Sequence, residues 1–93
     1  MIIKGLKFVQ TCSMCPEQYE VYDSANRLVG YIRLRWGSLT CEYPDVGGEL
    51  VYMTCFDDDM RGFFVNEKER AYHLNEIADR LNKKLKRRKR RRG

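Results

Sequence analysis

Histidine and proline are nearly missing from this chain: one histidine and two prolines in 93 residues. A single histidine, His73, leaves no His–nucleophile or His–carboxylate pairing to read as a motif. The chain also has no glycine-rich phosphate loop, no serine elbow and no carboxylate pair at a recognisable spacing. These absences lead us to expect a protein that is not an enzyme. No apolar run approaches the roughly 20 residues that a membrane-spanning helix needs, so no membrane partner is expected. Met1-Ile2-Ile3-Lys4-Gly5 is interrupted too soon to be the apolar part of a signal peptide. The expected compartment is the cytoplasm, where cysteines stay reduced. The four cysteines then read as thiols or metal ligands rather than disulfides.

What the chain has in abundance is charge, and it is unevenly placed. The formal net charge is +5, and residues 83–93 hold nine cations and no acid, so the first 82 residues sum to −4. The cations are Lys83, Lys84, Lys86, Arg87, Arg88, Lys89, Arg90, Arg91 and Arg92. Such a run repels itself, stays solvated and seeks polyanions. Each Lys or Arg set on a phosphate releases condensed counterion. DNA or RNA is therefore the expected partner. The plainer reading is a solvated helix end.

Ahead of that run, hydrophobic content of 43% with six Tyr, four Phe and one Trp supports one folded domain. We expect it over residues 1–82, with 83–93 as a basic extension. Alternation predicts strands over 6–10, 18–23, 28–36, 39–43 and 49–56. The clearest is 28–36: Leu28, Gly30, Ile32, Leu34 and Trp36 fall on one side, and Val29, Tyr31, Arg33 and Arg35 on the other. Asn66 and Glu69 form an Asn-x-x-Glu capping pair. The helix after it carries a stripe of Ala71, Leu74, Ile77, Ala78, Leu81 and Leu85. The expected fold is α+β: a four- or five-stranded antiparallel meander with one C-terminal helix packed on a face.

Several constellations invite chemistry. Cys12-Ser13-Met14-Cys15 has the spacing of a zinc knuckle. Closing the site needs Cys41 and Cys55, with His73 as substitute, and the expected register sets Cys41 opposite Tyr52 rather than Cys55. We expect no resident cofactor, with a structural zinc module as an alternative. Buried cysteine is the plainer reading for Cys41 and Cys55. Asp57-x-Asp59-x-Arg61-Gly62 opens like a calcium loop but fails at Arg61 and at Lys68, where a bidentate Glu is required. Tyr31, Arg33 and Arg35, with Tyr22 beside them, could stack bases and hold phosphates. Cross-strand pairing of Arg33 and Arg35 with Glu20 and Glu42 is the competing reading.

Three segments, Cys15-Pro16-Glu17-Gln18-Tyr19-Glu20-Val21-Tyr22-Asp23, Val29-Gly30-Tyr31-Ile32-Arg33-Leu34-Arg35-Trp36-Gly37 and Tyr43-Pro44-Asp45-Val46-Gly47-Gly48-Glu49, resemble a group of small proteins from phages, prophages and conjugative elements of Firmicutes. The similarity spans roughly residues 8–80 and excludes the basic tail. The resemblance implies a mobile-element origin, an accessory role in a bacterial host cell, and no catalytic residue. Proteins of that size and origin often block a host machine, CRISPR nucleases among them. Two functions are thus expected. One is engagement of nucleic acid, free or within a host nucleoprotein such as a CRISPR nuclease. The other is inhibition of a host defence nuclease (anti-CRISPR type) or another host enzyme through protein contacts.

Overall fold

Alternating apolar and polar residues, interrupted by short turns, fold into six strands that pair strictly in chain order. The computed structural model describes residues 1–12, 17–58 and 60–92; for Cys12 and residues 88–92 only the backbone is described. The strands are β1 (Ile2–Ile3), β2 (Leu6–Cys12), β3 (Glu17–Tyr22), β4 (Leu28–Arg35), β5 (Ser38–Tyr43) and β6 (Glu49–Cys55). All neighbours are antiparallel, in the order β1-β2-β3-β4-β5-β6. One helix follows, α1 (Glu67–Arg92). The fold is α+β, as the patterning leads one to expect.

The strand the sequence reading does not include is β1. It is two residues long, too short for alternation to register. It exists because Lys4 and Gly5 both adopt positive φ (52° and 83°) in a two-residue turn that sets Ile3 opposite Leu6. A second such turn corrects the expectation for Trp36. Strand β4 stops at Arg35, and Trp36 and Gly37 take φ of 53° and 72°. Trp36 therefore points away from the core and is 61% exposed. Val29 departs from the alternation in the opposite direction. The register jumps from Val21–Gly30 to Tyr22–Leu28, leaving Val29 as the extra residue of a bulge, and it is buried.

The core lies between one sheet face and the helix. Phe8, Tyr19, Val21, Ile32, Leu34, Leu39 and Cys41 from the sheet meet Leu74, Ile77, Ala78 and Leu81 from α1. Fully burying each leucine contributes roughly 1.5–3 kcal/mol. Gly30 lets the two layers close: a Cβ there would sit 3.0 Å from Leu81 Cδ1. The helix starts as expected, with the Asn66 side chain accepting the Glu69 N–H at 2.8 Å; the Glu69 carboxylate accepts from Val65 N–H at 3.0 Å. Its buried stripe is corrected at one position. Ala71 is exposed, and Arg70 takes the inward place because the buried Glu17 carboxylate on β3 receives it.

Towards its C-terminus α1 is tied to both edges of the sheet. Lys4, in the β1–β2 turn, pairs with Asp79 at 2.7 Å, and the Asn82 amide donates to Lys4 O at 3.0 Å. On the other side Lys84 pairs with Glu49 at the start of β6. Leu85 is the last apolar residue packed on the core. The helical backbone continues to Arg92.

Candidate nucleic-acid interface

The residues of α1 from Arg80 onward fall on both sides of the line of attachment. Arg80, Lys83, Lys84 and Arg87, spaced 3, 1 and 3, share the flank that faces β6. With Glu49, Leu50 and Val51 they line an open groove of about 370 Å³. Lys86 faces the other way. With Lys4, Arg27, Asp23, Asn82 and Leu85 it lines a groove of about 500 Å³. Cations thus flank the helix where it leaves the sheet, and its C-terminal dipole favours them there.

Some of these charges are already partnered. Lys4 is held by Asp79, Lys84 by Glu49, and Arg27 by Asp23 at 2.9 Å. Arg80 rests 5.8 Å from the Tyr52 ring centre. Lys83, Lys86 and Arg87 pair with no carboxylate among the described residues. Arg88, Lys89, Arg90, Arg91 and Arg92 continue the helical backbone, and their side chains lie outside the described residues.

The second expected cation group sits elsewhere. Tyr31, Arg33 and Arg35 lie on the sheet face away from α1, in rows with Glu20 and Glu42, Gln18 and Thr40, and Ser38. Arg33 and Arg35 form no ion pair with Glu20 or Glu42 among the described residues; Glu20 instead accepts the Tyr22 hydroxyl at 2.7 Å. Arg35 lies 5.6 Å from the centre of the Trp36 ring. Arg33, Arg35, Trp36, Ser38 and Thr40 line an open pocket of about 390 Å³. The Trp36–Gly37 turn is anchored to the segment between β6 and the start of α1, with Gly37 N–H on Arg61 O at 2.9 Å and Phe56 N–H on Gly37 O at 2.7 Å. The arginines nearest it are therefore at the opposite end of the helix from the basic run. The fold keeps the two expected groups apart. It adds Arg80, Lys4 and Arg27 to the first and Trp36 to the second. Arg80 could have been found from its helical spacing to Lys83 and Lys84, whereas Lys4 and Arg27 join only through strand register.

The cysteines separate as well. Cys41 is fully buried facing α1, opposite Tyr52 as the expected register has it. Burial pushes its thiol up to about 12. Cys55 pairs with Ser38 on the other face and is exposed, its sulfur 3.6 Å from the Ser38 hydroxyl. The two thiols that the sequence offers to one zinc therefore lie on opposite sides of the sheet. The Cys12 side chain and Cys15 lie outside the described residues, as does Asp59 of the acidic loop. In that loop Arg61 stacks 4.1 Å from the Phe56 ring centre and pairs with Glu69.

His73 is enclosed by aromatic rings and is not available as a substitute ligand. Phe64 stacks on it at 5.8 Å, Phe56 and Tyr72 meet it edge-on, and its Nδ1 lies 2.9 Å from the Tyr52 hydroxyl. Burial holds its pKa below the ordinary value. The other inward charge is Glu17. It accepts from Tyr19 Oη at 2.5 Å, from Arg70 Nε at 2.6 Å and Nη2 at 3.1 Å, and from Phe64 N–H at 3.4 Å. Burial alone would raise its pKa, but these donors outweigh it and hold the carboxyl below its usual range. Every oxygen is satisfied, so the cluster fastens β3 to α1 and the loop before it.

No protein-family model, curated protein or solved structure matches this chain.

Proposed function

We propose that this protein is a non-enzymatic nucleic-acid-binding protein of a phage or mobile element, and that the C-terminal half of α1 is the part that contacts phosphate. The observation that carries the reading is the pair of cation-lined grooves on either side of a helix fastened to both sheet edges. Lys83, Lys86 and Arg87 have no carboxylate to neutralise them there among the described residues. Fixing the cations on a helix lowers the ordering entropy of binding relative to a flexible tail. A helix also fits the major groove of duplex DNA, and shape and phosphate contacts serve RNA. The ligand is DNA or RNA, free or held in a host nucleoprotein such as a CRISPR nuclease. The sequence resemblance to mobile-element proteins supports that setting.

The test is fluorescence anisotropy with labelled duplex and single-stranded probes, comparing the full chain with one ending at Leu85. Removing residues 86–93 takes away seven cations and no core residue. Affinity at moderate salt should fall more than about tenfold while the circular dichroism of the sheet is retained. Unchanged affinity would remove the tail from the mechanism.

A second reading is inhibition of a host defence nuclease, of anti-CRISPR type, through protein contacts. It is favoured by the other end of the molecule, where Trp36, Met60, Phe63 and Val65 are each more than half exposed. Exposed apolar clusters of this kind suit a protein interface. Binding that barely responds to salt would select this reading over the first.

A further inference from the structure

β6 is the last strand of an open sheet, and no strand among the described residues lies beyond it. The β4–β5 turn decides which backbone groups point outward. Arg35 and Ser38 close a two-residue turn, so Ser38 and Thr40 spend their N–H and C=O groups on β4, while Leu39 and Cys41 direct theirs to β6. Thr54 and Tyr52, opposite them, are used in that ladder. Met53 and Cys55 face the other way. Val51 has no partner on β5 because the register jumps from Cys41–Tyr52 to Glu42–Leu50.

Apart from Glu49 at its start and the bulge at Val51, the strand carries none of the usual devices against pairing. It is seven residues long with neither proline nor lysine, and Leu50 and Met53 are 51% and 58% exposed. Natural edge strands are usually shortened, charged or interrupted. The strand at the opposite end of the sheet, β1, is two residues long. The helix flank beside β6 is divided by charge. Tyr72 and Glu76 lie towards its N-terminus, and Arg80 and Lys83 follow. Arg80 rests 5.8 Å from the centre of the Tyr52 ring, and the Tyr52 hydroxyl lies 2.9 Å from Nδ1 of His73, one residue beyond Tyr72.

We infer that β6 is a self-association edge, to which a second copy of this chain adds its own β6 antiparallel across a two-fold axis near Tyr52. In that arrangement Met53 of each copy meets Val51 of the other, and the free N–H and C=O groups of both edges are used. The Tyr72–Glu76 half of one helix flank then lies along the Arg80–Lys83 half of the other. A two-fold contact must be self-complementary, and a flank that is acidic and aromatic at one end and cationic at the other meets that condition. The two basic helix ends point in opposite directions, giving one assembly two phosphate-binding ends.

Sedimentation velocity of the nuclease-treated full chain, without nucleic acid, tests this independently of the function proposed above. The expected result is a concentration-dependent rise from 11.1 kDa to twice that mass. Met53→Pro should stay monomeric with an unchanged circular dichroism spectrum, because its N–H lies outside the β5–β6 ladder. Met53→Ala should still associate. Glu76→Lys should weaken association by more than about tenfold, and adding Arg80→Glu should restore it. If Met53→Pro fails to fold, the Glu76 and Arg80 exchange decides the matter alone. A chain that stays at 11.1 kDa throughout, a folded Met53→Pro that still dimerises, or a double exchange that does not recover association would each overturn the proposal.

Discussion

Glu17 is the residue on which most of the internal polar structure converges. A carboxylate 4% exposed is costly unless every oxygen is satisfied, and here Arg70, Tyr19 and the Phe64 N–H satisfy it. Removing one member leaves an uncompensated buried charge. Arg70→Met should therefore lower unfolding free energy by about 3 kcal/mol in denaturant titration, more than an exposed ion pair would account for. A loss under about 0.5 kcal/mol would show that the carboxylate is not sealed. Acid stability should report both Glu17 and His73. His73 is held neutral, so the unfolded chain takes up a proton first and stability drops as pH falls through about 6.5, the ordinary histidine value. The groups facing it, Glu69, Arg61 and Glu76, oppose one another. Glu17, with its pKa depressed, gives stability that is complete above the ordinary carboxylate range and lost as pH falls below it. Thermal melts against pH should show the first loss abolished in His73→Phe and the second reduced in Glu17→Gln. An unchanged His73→Phe profile would place the proton uptake elsewhere.

At the level of elements, the helix depends on the sheet for its stability. Mostly cationic beyond Leu81, it is secured by Leu74, Ile77, Ala78 and Leu81 in the core. Leu74→Ala and Leu81→Ala should each destabilise by about 2–5 kcal/mol. Trp36→Ala should cost under about 0.5 kcal/mol, since the ring is outside the core. Losses of that small size for both leucines would mean that α1 does not dock as described. Strands β2 to β6, the antiparallel order, the capping pair and most of the stripe were legible in the sequence because each rests on a local pattern, whereas the two-residue β1 was too short to show one. Trp36 was misread because a type I′ turn and a strand end look alike until φ is known, and its position continued the alternation by coincidence. Ala71 lost its place to Arg70 because a buried glutamate 53 residues away outweighs a small apolar side chain. Cys41 and Cys55 parted because a strand's period of two assigns faces only once register is fixed. Lys4 and Arg27 joined the basic end through turns whose spatial neighbours no local pattern reveals.

The whole molecule is 44 Å in its longest extent and 22 and 20 Å in the others, with cations gathered where α1 leaves the sheet and Trp36, Met60, Phe63 and Val65 exposed at the other end. Its overall charge of +5 understates this, because the −4 of the first 82 residues offsets nine clustered cations. The central claim is that those cations neutralise phosphates from a helix the sheet holds in place. It is tested most directly by the slope of log binding constant against log salt, measured for the full chain and for the chain ending at Leu85. Each phosphate neutralised on duplex DNA contributes about 0.9 to that slope. Loss of seven cations should therefore flatten it by up to about six, and by several units even if only some of them reach phosphate. Equal slopes for the two chains, or a full-length slope near zero, would contradict the account.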